Sequence, residues 1–300
     1  MKKETPRVYN AEGVEVPWVG LRLESHLANT TEQIDGNIEA VLESVYEPFN
    51  GLLTTKSGAV AIVGSGPSLK RNWHELKKFD GDIVACNAAI QFLSEKGINP
   101  TYGMIFDADI LTEAFVQKPN PLVTYLLASR THPSVFKTLR EAGCKIIVWH
   151  ARGDLNIERL LQKHKKMEPM IGGGSAAVTR AMFVVYPMGY STIHMYGSDS
   201  SYEKGVTDTH IGKSTTEEKY FRVMCGDRLF DTTPWMAQQA EDFKVLVPSL
   251  RRMGIRIVVH GDGLIPHIAR EMKMDVDGEP FGRQFLRNAK IKAKTLWMNL

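Results

Sequence analysis

Short apolar, β-branched runs alternate along the chain with longer stretches whose apolar residues recur at helical spacing. The first run, Ala59-Val60-Ala61-Ile62-Val63, is apolar throughout, the pattern of a strand buried on both faces. Ile83-Val84-Ala85-Cys86, Tyr102-Gly103-Met104-Ile105-Phe106, residues 122–128, Lys145-Ile146-Ile147-Val148-Trp149, Thr192-Ile193-His194-Met195-Tyr196 and Ile255-Arg256-Ile257-Val258-Val259 repeat it. Between them the spacing predicts helices over 69–79, 88–96, 133–142, 175–186 and 235–253. Upstream, Ile34, Ile38, Val41, Leu42 and Val45 mark a helix over 29–49, capped by Thr30 or Thr31. Residues 1–24, punctuated by Pro6, Gly13, Pro17 and Gly20, read as irregular.

Strands alternating with helices imply an α/β fold: a doubly wound, mostly parallel, Rossmann-like sheet with helices on both faces. Three stretches follow: an N-terminal extension with one helix (1–57), a Rossmann-like catalytic core (58–263) and a basic helical tail (264–300). Ligands of such sheets bind at the carboxyl ends of the strands. The residues there are polar or Gly-rich: Gly64-Ser65-Gly66-Pro67-Ser68, Asn87, Asp107-Ala108-Asp109, His150, Gly197-Ser198-Asp199 and His260-Gly261-Asp262-Gly263. Their convergence on one sheet edge points to a site more strongly than any one of them.

Composition narrows the classes. With 43% hydrophobic and 24% charged residues, disorder of the whole chain is excluded. A net charge of +3 gives no reason to expect nucleic acid as a partner. Cys86, Cys144 and Cys225 form no close pair and read as buried or half-buried free thiols, which suits a reducing cytoplasm. No apolar run reaches membrane-spanning length and no signal peptide is expected, so the reading is a cytoplasmic protein. The tail carries five basic residues over 283–294 with Phe285, Leu286 and Ile291 interleaved, a face expected to pack on its own domain.

Gly64-Ser65-Gly66-Pro67-Ser68 joins a strand to a helix. Its glycines permit a sharp turn and close ligand approach, and the helix start offers N–H groups to phosphate. A tight turn without ligand is the alternative. Gly172-Gly173-Gly174-Ser175 opens another helix and is either a second anion or sugar cradle at Gly173, Gly174 and Ser175 or a packing turn. Asp107 and Asp109, one residue apart, form a candidate Mg²⁺ or Mn²⁺ site, or else a helix cap with a solvated neighbour. Asp199 and His210 flank a polar loop. His210 is a candidate general base, and Asp199 a hydroxyl- or metal-binding group. His150 and His194 read as satisfied structural residues.

The Gly-Ser-Gly-Pro-Ser-Leu turn followed by Cys86-Asn87-Ala88 resembles the MptE-like family. That family includes flagellin motility accessory factors, thought to transfer sialic-like sugars, and archaeal 6-hydroxymethyl-7,8-dihydropterin diphosphokinases. A bacterial sialyltransferase family has a similar turn and Asn. Gly172-Gly173-Gly174-Ser175-Ala176-Ala177, Met188-Gly189-Tyr190, Gly197-Ser198-Asp199-Ser200-Ser201-Tyr202, Thr209-His210 and Thr232-Thr233-Pro234 extend the resemblance over about residues 60–263. It implies a transferase using a nucleotide-activated small-molecule donor. Glycosyl transfer from a nucleotide-sugar ranks first, a diphosphokinase using ATP and Mg²⁺ second, and a non-catalytic nucleotide-binding module third. It also implies Asn87 as a donor-binding residue and strengthens His210 as the base.

Overall fold

The computed structural model describes residues 8–9, 15–16, 29–203 and 221–276. His210 and the basic stretch 283–294 lie outside the described residues. Strands β1 (Val8–Tyr9) and β2 (Glu15–Val16) precede helix α1 (Thr31–Leu42) and β3 (Glu47–Pro48). The alternation then runs β4 (Ala59–Val63), α2 (Leu69–Asn72), β5 (Asp82–Cys86), α3 (Ala89–Glu95), β6 (Tyr102–Ile105), β7 (Thr124–Ala128), α4 (Pro133–Glu141) and β8 (Ile146–Ala151). It continues through α5 (Ile157–Lys163), β9 (Met170–Ile171), α6 (Ala177–Met188) and β10 (Thr192–Tyr196). A hairpin of β11 (Phe221–Cys225) and β12 (Arg228–Thr232) leads to α7 (Pro234–Arg252), β13 (Arg256–Val259), α8 (Leu264–Glu271) and β14 (Asp275–Val276).

The main sheet has the order β14-β13-β10-β4-β5-β6-β7-β8-β3, with β9 on β8, and each of its pairings is parallel. From β4 the chain winds one way through β5 to β8 and the other way through β10 and β13. The topological switch point therefore lies between β4 and β10. Along each strand, alternate side chains enter different cores. Val60 and Ile62 pack with Met182, Val185, Phe243 and Ile265 of α6, α7 and α8. Ala61 and Val63 pack with Leu69, Ile90, Leu93 and Phe136 of α2, α3 and α4. A third cluster joins α1 to α5 through Ile34, Ile38 and Leu160 and reaches Ala108 beyond β6.

Four expectations change. The first helix starts as expected, with the Thr30 hydroxyl accepting from the Gln33 N–H, but ends at Leu42. Pro48 disfavours helix at Glu47, and Glu47–Pro48 pairs with β8 instead. The helix expected over 69–79 is one α turn followed by a 3₁₀ segment, Trp73–Lys78. The stretch 1–24 contains β1 and β2, which join β11 and β12 in a separate antiparallel sheet of order β12-β11-β1-β2. Beyond the expected boundary at 263, Leu264, Ile265, Ile268 and Ala269 of α8 are buried in the main core, and β14 pairs with β13. All three cysteines are free, Cys86 and Cys144 buried. Among the described residues no helix is long and apolar enough to cross a membrane.

At the amino ends of the strands, Asp82 gathers the Tyr190 hydroxyl, Lys56 Nζ (3.0 Å) and Thr101 Oγ1 (3.0 Å). Burial acts to raise its carboxyl, but the hydrogen bonds from Tyr190, Lys56 and Thr101 outweigh it and hold the group below its ordinary value. A carboxylate with a lowered folded value stabilises the protein above the unfolded value, and that contribution disappears as pH falls through the folded one. Asp82→Asn should therefore cost roughly 1.5–3 kcal/mol near neutrality, the range for hydrogen bonds to a charged group. The gap to wild type should close in acid, below the ordinary carboxylate range. Urea denaturation across pH checks both; a gap that stays constant into strong acid rules the carboxylate out as its source.

Candidate active site

The turn after β4 is fastened to the turn after β10. The Gly64 N–H donates to Tyr196 O (2.8 Å), the Gly66 N–H to Gly197 O (2.8 Å), and the Ser68 N–H and hydroxyl both to Asp199 Oδ2 (2.9 Å each). A Cβ on Gly64 would lie 2.6 Å from Gly197 O, and one on Gly66 2.3 Å from Asp199 Oδ2. These glycines are thus required by contact between two loops. Pro67 has no N–H, and Ser68 is 1% exposed. The turn directs its donors at positions 64, 66 and 68 inward, and the Asp199 carboxylate occupies the place at the start of α2 where a phosphate was expected. Ser65 is half-buried on the same turn.

Asp199 serves three loops at once. Its carbonyl accepts from the Ile265 N–H (3.2 Å), and Gly263 packs so closely on it that a Cβ there would lie 2.5 Å from the Asp199 Cβ. Burial raises its carboxyl despite the two Ser68 hydrogen bonds. At 3% exposure it is a bracket between strand ends rather than a group facing solvent.

On the other side of the switch point, Asn87 follows β5 in the left-handed region (φ 52°). Such a conformation is uncommon for a non-glycine residue and best tolerated by Asn or Asp. It is fixed by the Asn87 N–H donating to Met104 O (3.1 Å) and by Asn87 O accepting from the Ile90 N–H (3.0 Å). The Asn87 side chain lies close enough to Asp107, which follows β6, to favour its ionised form, while Asn87 Oδ1 is buried with no partner. Asp107 is open to solvent, yet protein crowds its carboxylate. That desolvation raises its carboxyl, against the pull of Arg130 and Asn87.

Asp109 has a different task. Its Oδ1 accepts from the Leu111 N–H (2.9 Å) and caps the 3₁₀ segment Ile110–Val116. The pair therefore divides into a cap and one open carboxylate. Among the described residues no three metal-ligating side chains gather. A divalent metal at Asp107 would take its remaining oxygen ligands from water and a substrate's phosphate groups.

The second Gly-Ser block repeats the arrangement of the first. The Ser175 N–H and hydroxyl both donate to Asp242 Oδ2 of α7 (2.7 and 2.6 Å). Gly173 has φ 133° and packs against Arg180, and a Cβ on Gly174 would lie 2.3 Å from Thr179 Oγ1. Ser175 itself is exposed. Of the two histidines, His194 Nδ1 lies 3.0 Å from His260 Nε2, whereas His150 is satisfied on one side only: its Nε2 lies 2.6 Å from Glu168 Oε2 and its Nδ1 is buried with no partner.

The edge also holds residues that sequence reasoning passed over. Arg130 follows β7, and its Nη1 bonds Asp154 Oδ1 (2.6 Å). Arg180 is the lone charge of α6 and is 8% exposed. The signals were present: Arg130 occupies a strand's carboxyl end, and a single arginine interrupts an otherwise apolar helix.

A family model described as 6-hydroxymethylpterin diphosphokinase MptE-like matches residues 32–205. Among solved structures, the MAf glycosyltransferase from Magnetospirillum magneticum AMB-1 superposes with a TM-score of 0.60 at 16% identity, over 87% of this chain and 40% of that one. The likeness is one of fold, and this chain spans less than half of that protein's length. A mammalian sialyltransferase solved with Gal-beta-1-3GalNAc-ortho-nitrophenol aligns with a TM-score of 0.40 at 13% identity, over 86% of this chain and 91% of that one. No curated protein matches in sequence. The fold is Rossmann-like and glycosyltransferase-like.

Proposed function

This chain belongs to the MptE-like family, and we propose that it is a transferase that moves a sugar from a nucleotide-activated donor to a hydroxyl acceptor. The observation that carries this reading is the Asn87–Asp107 pair at the carboxyl ends of adjacent strands, an open carboxylate with an amide close by. An acceptor–donor pair of this kind suits a sugar hydroxyl, and the switch point is where open α/β sheets bind nucleotides. The donor lies over the ends of β4, β5 and β6, with Ser65 and Asn87 toward the nucleotide and Gly173, Gly174 and Ser175 at its far end. In the transfer step the acceptor oxygen bonds the anomeric carbon while the bond from that carbon to the phosphate oxygen breaks. The nucleotide leaves with its phosphate, and His210 takes the acceptor's proton. No step runs through a metal.

A thermal-shift panel tests the reading: CMP-, UDP- and GDP-sugars against ATP, each with and without Mg²⁺. A ligand bound only by the native state raises its melting temperature. Stabilisation by a nucleotide-sugar without metal supports glycosyl transfer. Stabilisation by ATP with Mg²⁺ alone replaces it with diphosphoryl transfer, and silence across the panel removes donor binding altogether.

His210→Ala should lower turnover by about 10²–10⁴-fold, the usual contribution of a general base, with donor affinity little changed. The rate of the parent should rise with pH through a group near neutrality, because the imidazole acts when neutral. Single-turnover kinetics and donor titration separate this from a donor contact, for which affinity would fall together with the rate.

A further inference from the structure

Arg130 and Arg180 come from distant parts of the chain and meet over one aromatic ring. The Arg130 guanidinium lies 5.0 Å and the Arg180 guanidinium 4.9 Å from the centre of Phe106, which stacks on Trp149. Arg180 is more than nine-tenths buried, and the Arg130 side chain is 14% exposed. Two like charges placed this close in a poorly solvated site repel each other and lose hydration, an arrangement that costs free energy unless anions match them. The matching is incomplete. Asp154 bonds Arg130 through one oxygen, and its Oδ2 is buried without a partner. Arg180 Nη1 bridges two carbonyl oxygens, Arg152 O (3.2 Å) and Ile171 O (3.0 Å), which fix the guanidinium without neutralising it. The Nε atoms of both arginines and the hydroxyl of fully buried Ser129 also lack partners.

The other carboxylates around this cluster are already engaged. Asp35 Oδ2 accepts from Asn156 (2.6 Å), Asp242 Oδ2 holds Ser175, and Asp107 has the Asn87 side chain close by. Burial lowers the Arg180 guanidinium to about 10; the Asp154 carboxylate, the next largest influence, pulls it back up, Arg130 pushes it down and Asp242 pulls it up.

We infer that Arg130 and Arg180, held over Phe106 at the carboxyl end of β7 and the first turn of α6, form an oxyanion subsite that receives a phosphate or carboxylate group of the substrate. Both guanidiniums are fixed before the anion arrives, Arg180 by carbonyls and Arg130 by Asp154, so little ordering is lost on binding. The opening of α6 adds the partial positive charge of a helix start. The subsite is a neighbour of Asp107 along the same strand ends. It deepens the transferase reading by giving the substrate an anionic group at this point, and its existence does not depend on which reaction follows.

The test uses the full chain and two probes, pyrophosphate and N-acetylneuraminate, against sodium chloride at matched ionic strength. At least one probe should raise the melting temperature above the chloride control. By calorimetric titration its affinity should fall roughly tenfold to a hundredfold in Arg130→Gln, the loss expected for a hydrogen bond to a charged group. Asp154→Asn removes the carboxylate already present; this variant should melt lower than wild type and recover more in the probe than wild type does. That rescue keeps the inference testable even if Arg180→Gln does not fold. A response to pyrophosphate alone assigns the subsite to a phosphate, and a response to N-acetylneuraminate alone to a carboxylate; either supports it. No response beyond chloride, or unchanged affinity in folded Arg130→Gln, overturns it. An oxyanion response without any nucleotide-sugar response would keep the subsite and remove the glycosyl-transfer reading; the reverse pattern would do the opposite.

Discussion

Gly66→Ala should leave a protein that is barely stable. The added carbon would lie 2.3 Å from Asp199 Oδ2 and 2.7 Å from Gly197 O, one a buried carboxylate and the other backbone. Neither neighbour is the free end of a flexible chain. Relief means pushing the turn after β10 away from the turn after β4, which also breaks the two hydrogen bonds from Ser68 to Asp199. Overpacking typically costs about 1–3 kcal/mol, and losing hydrogen bonds to a buried charge about 1.5–3 kcal/mol more. A total of roughly 2.5–6 kcal/mol is a large share of the ~5–15 kcal/mol that stabilises a domain. Urea denaturation followed by circular dichroism measures it. Gly172→Ala serves as the control: a Cβ there meets nothing within 4 Å, and stability should stay within about 0.5 kcal/mol of the parent. A Gly66→Ala protein with an unshifted midpoint and lost ligand binding would mean that the glycine serves a ligand rather than the contact between loops.

Asp107→Asn should have the opposite profile, a folded protein with little activity. Among the described residues no hydrogen bond ties the Asp107 carboxylate to the framework, and an amide fills the same space. Desolvation raises the Asp107 carboxyl, so its ionised form is disfavoured where it stands. A carboxylate whose folded value is raised contributes most to stability in acid, and that contribution is lost as pH rises from the unfolded value through the folded one. Near neutrality Asp107→Asn should therefore be at least as stable as the parent. Turnover should fall about 10²-fold or more, the scale for losing a preorganised polar group at the reacting centre. In the parent, kcat/KM should decline on the acid side at a pH above the ordinary carboxylate range, and that limb should vanish in the variant. Equal kinetics in both proteins would remove Asp107 from the reaction.

The contrast between these two residues shows what could be read from the sequence. The strands of the main sheet were legible because runs such as Ala59–Val63 are apolar on both faces, and both faces are indeed buried. The convergence of polar residues on the carboxyl edge follows from that alternation. The direction in which those residues point does not. Gly64, Gly66 and Ser68 have the composition of a phosphate-binding turn, and Asp199 that of a ligand-binding acid, yet the two are turned toward each other. Only the juxtaposition of β4 and β10 brings this about, through a pairing between segments more than one hundred residues apart. Asp107 and Asp109 are alike in sequence and separate only once the 3₁₀ segment gives Asp109 an N–H to cap. The hairpin β11–β12 was missed although Gly226-Asp227 is a turn signal, because its flanking runs mix arginine and aspartate with apolar residues.

The small antiparallel sheet has a consequence for how the protein is made. Val8 pairs with Val223 and Tyr9 with Arg222, so strands more than two hundred residues apart in the chain lie side by side. At a synthesis rate of about 5–20 residues per second, β1 waits roughly 10–40 s for its partner to be translated. Closing so long a loop is slow compared with local pairing, so the hairpin β11–β12 forms first and β1 joins it late. Until then one side of β11 is an open strand edge with unpaired N–H and C=O groups, a template for another chain in the same state. The extreme N-terminal strands thus act as a late-arriving cover, and the newly made protein is most exposed to association with its own copies in the interval before they dock.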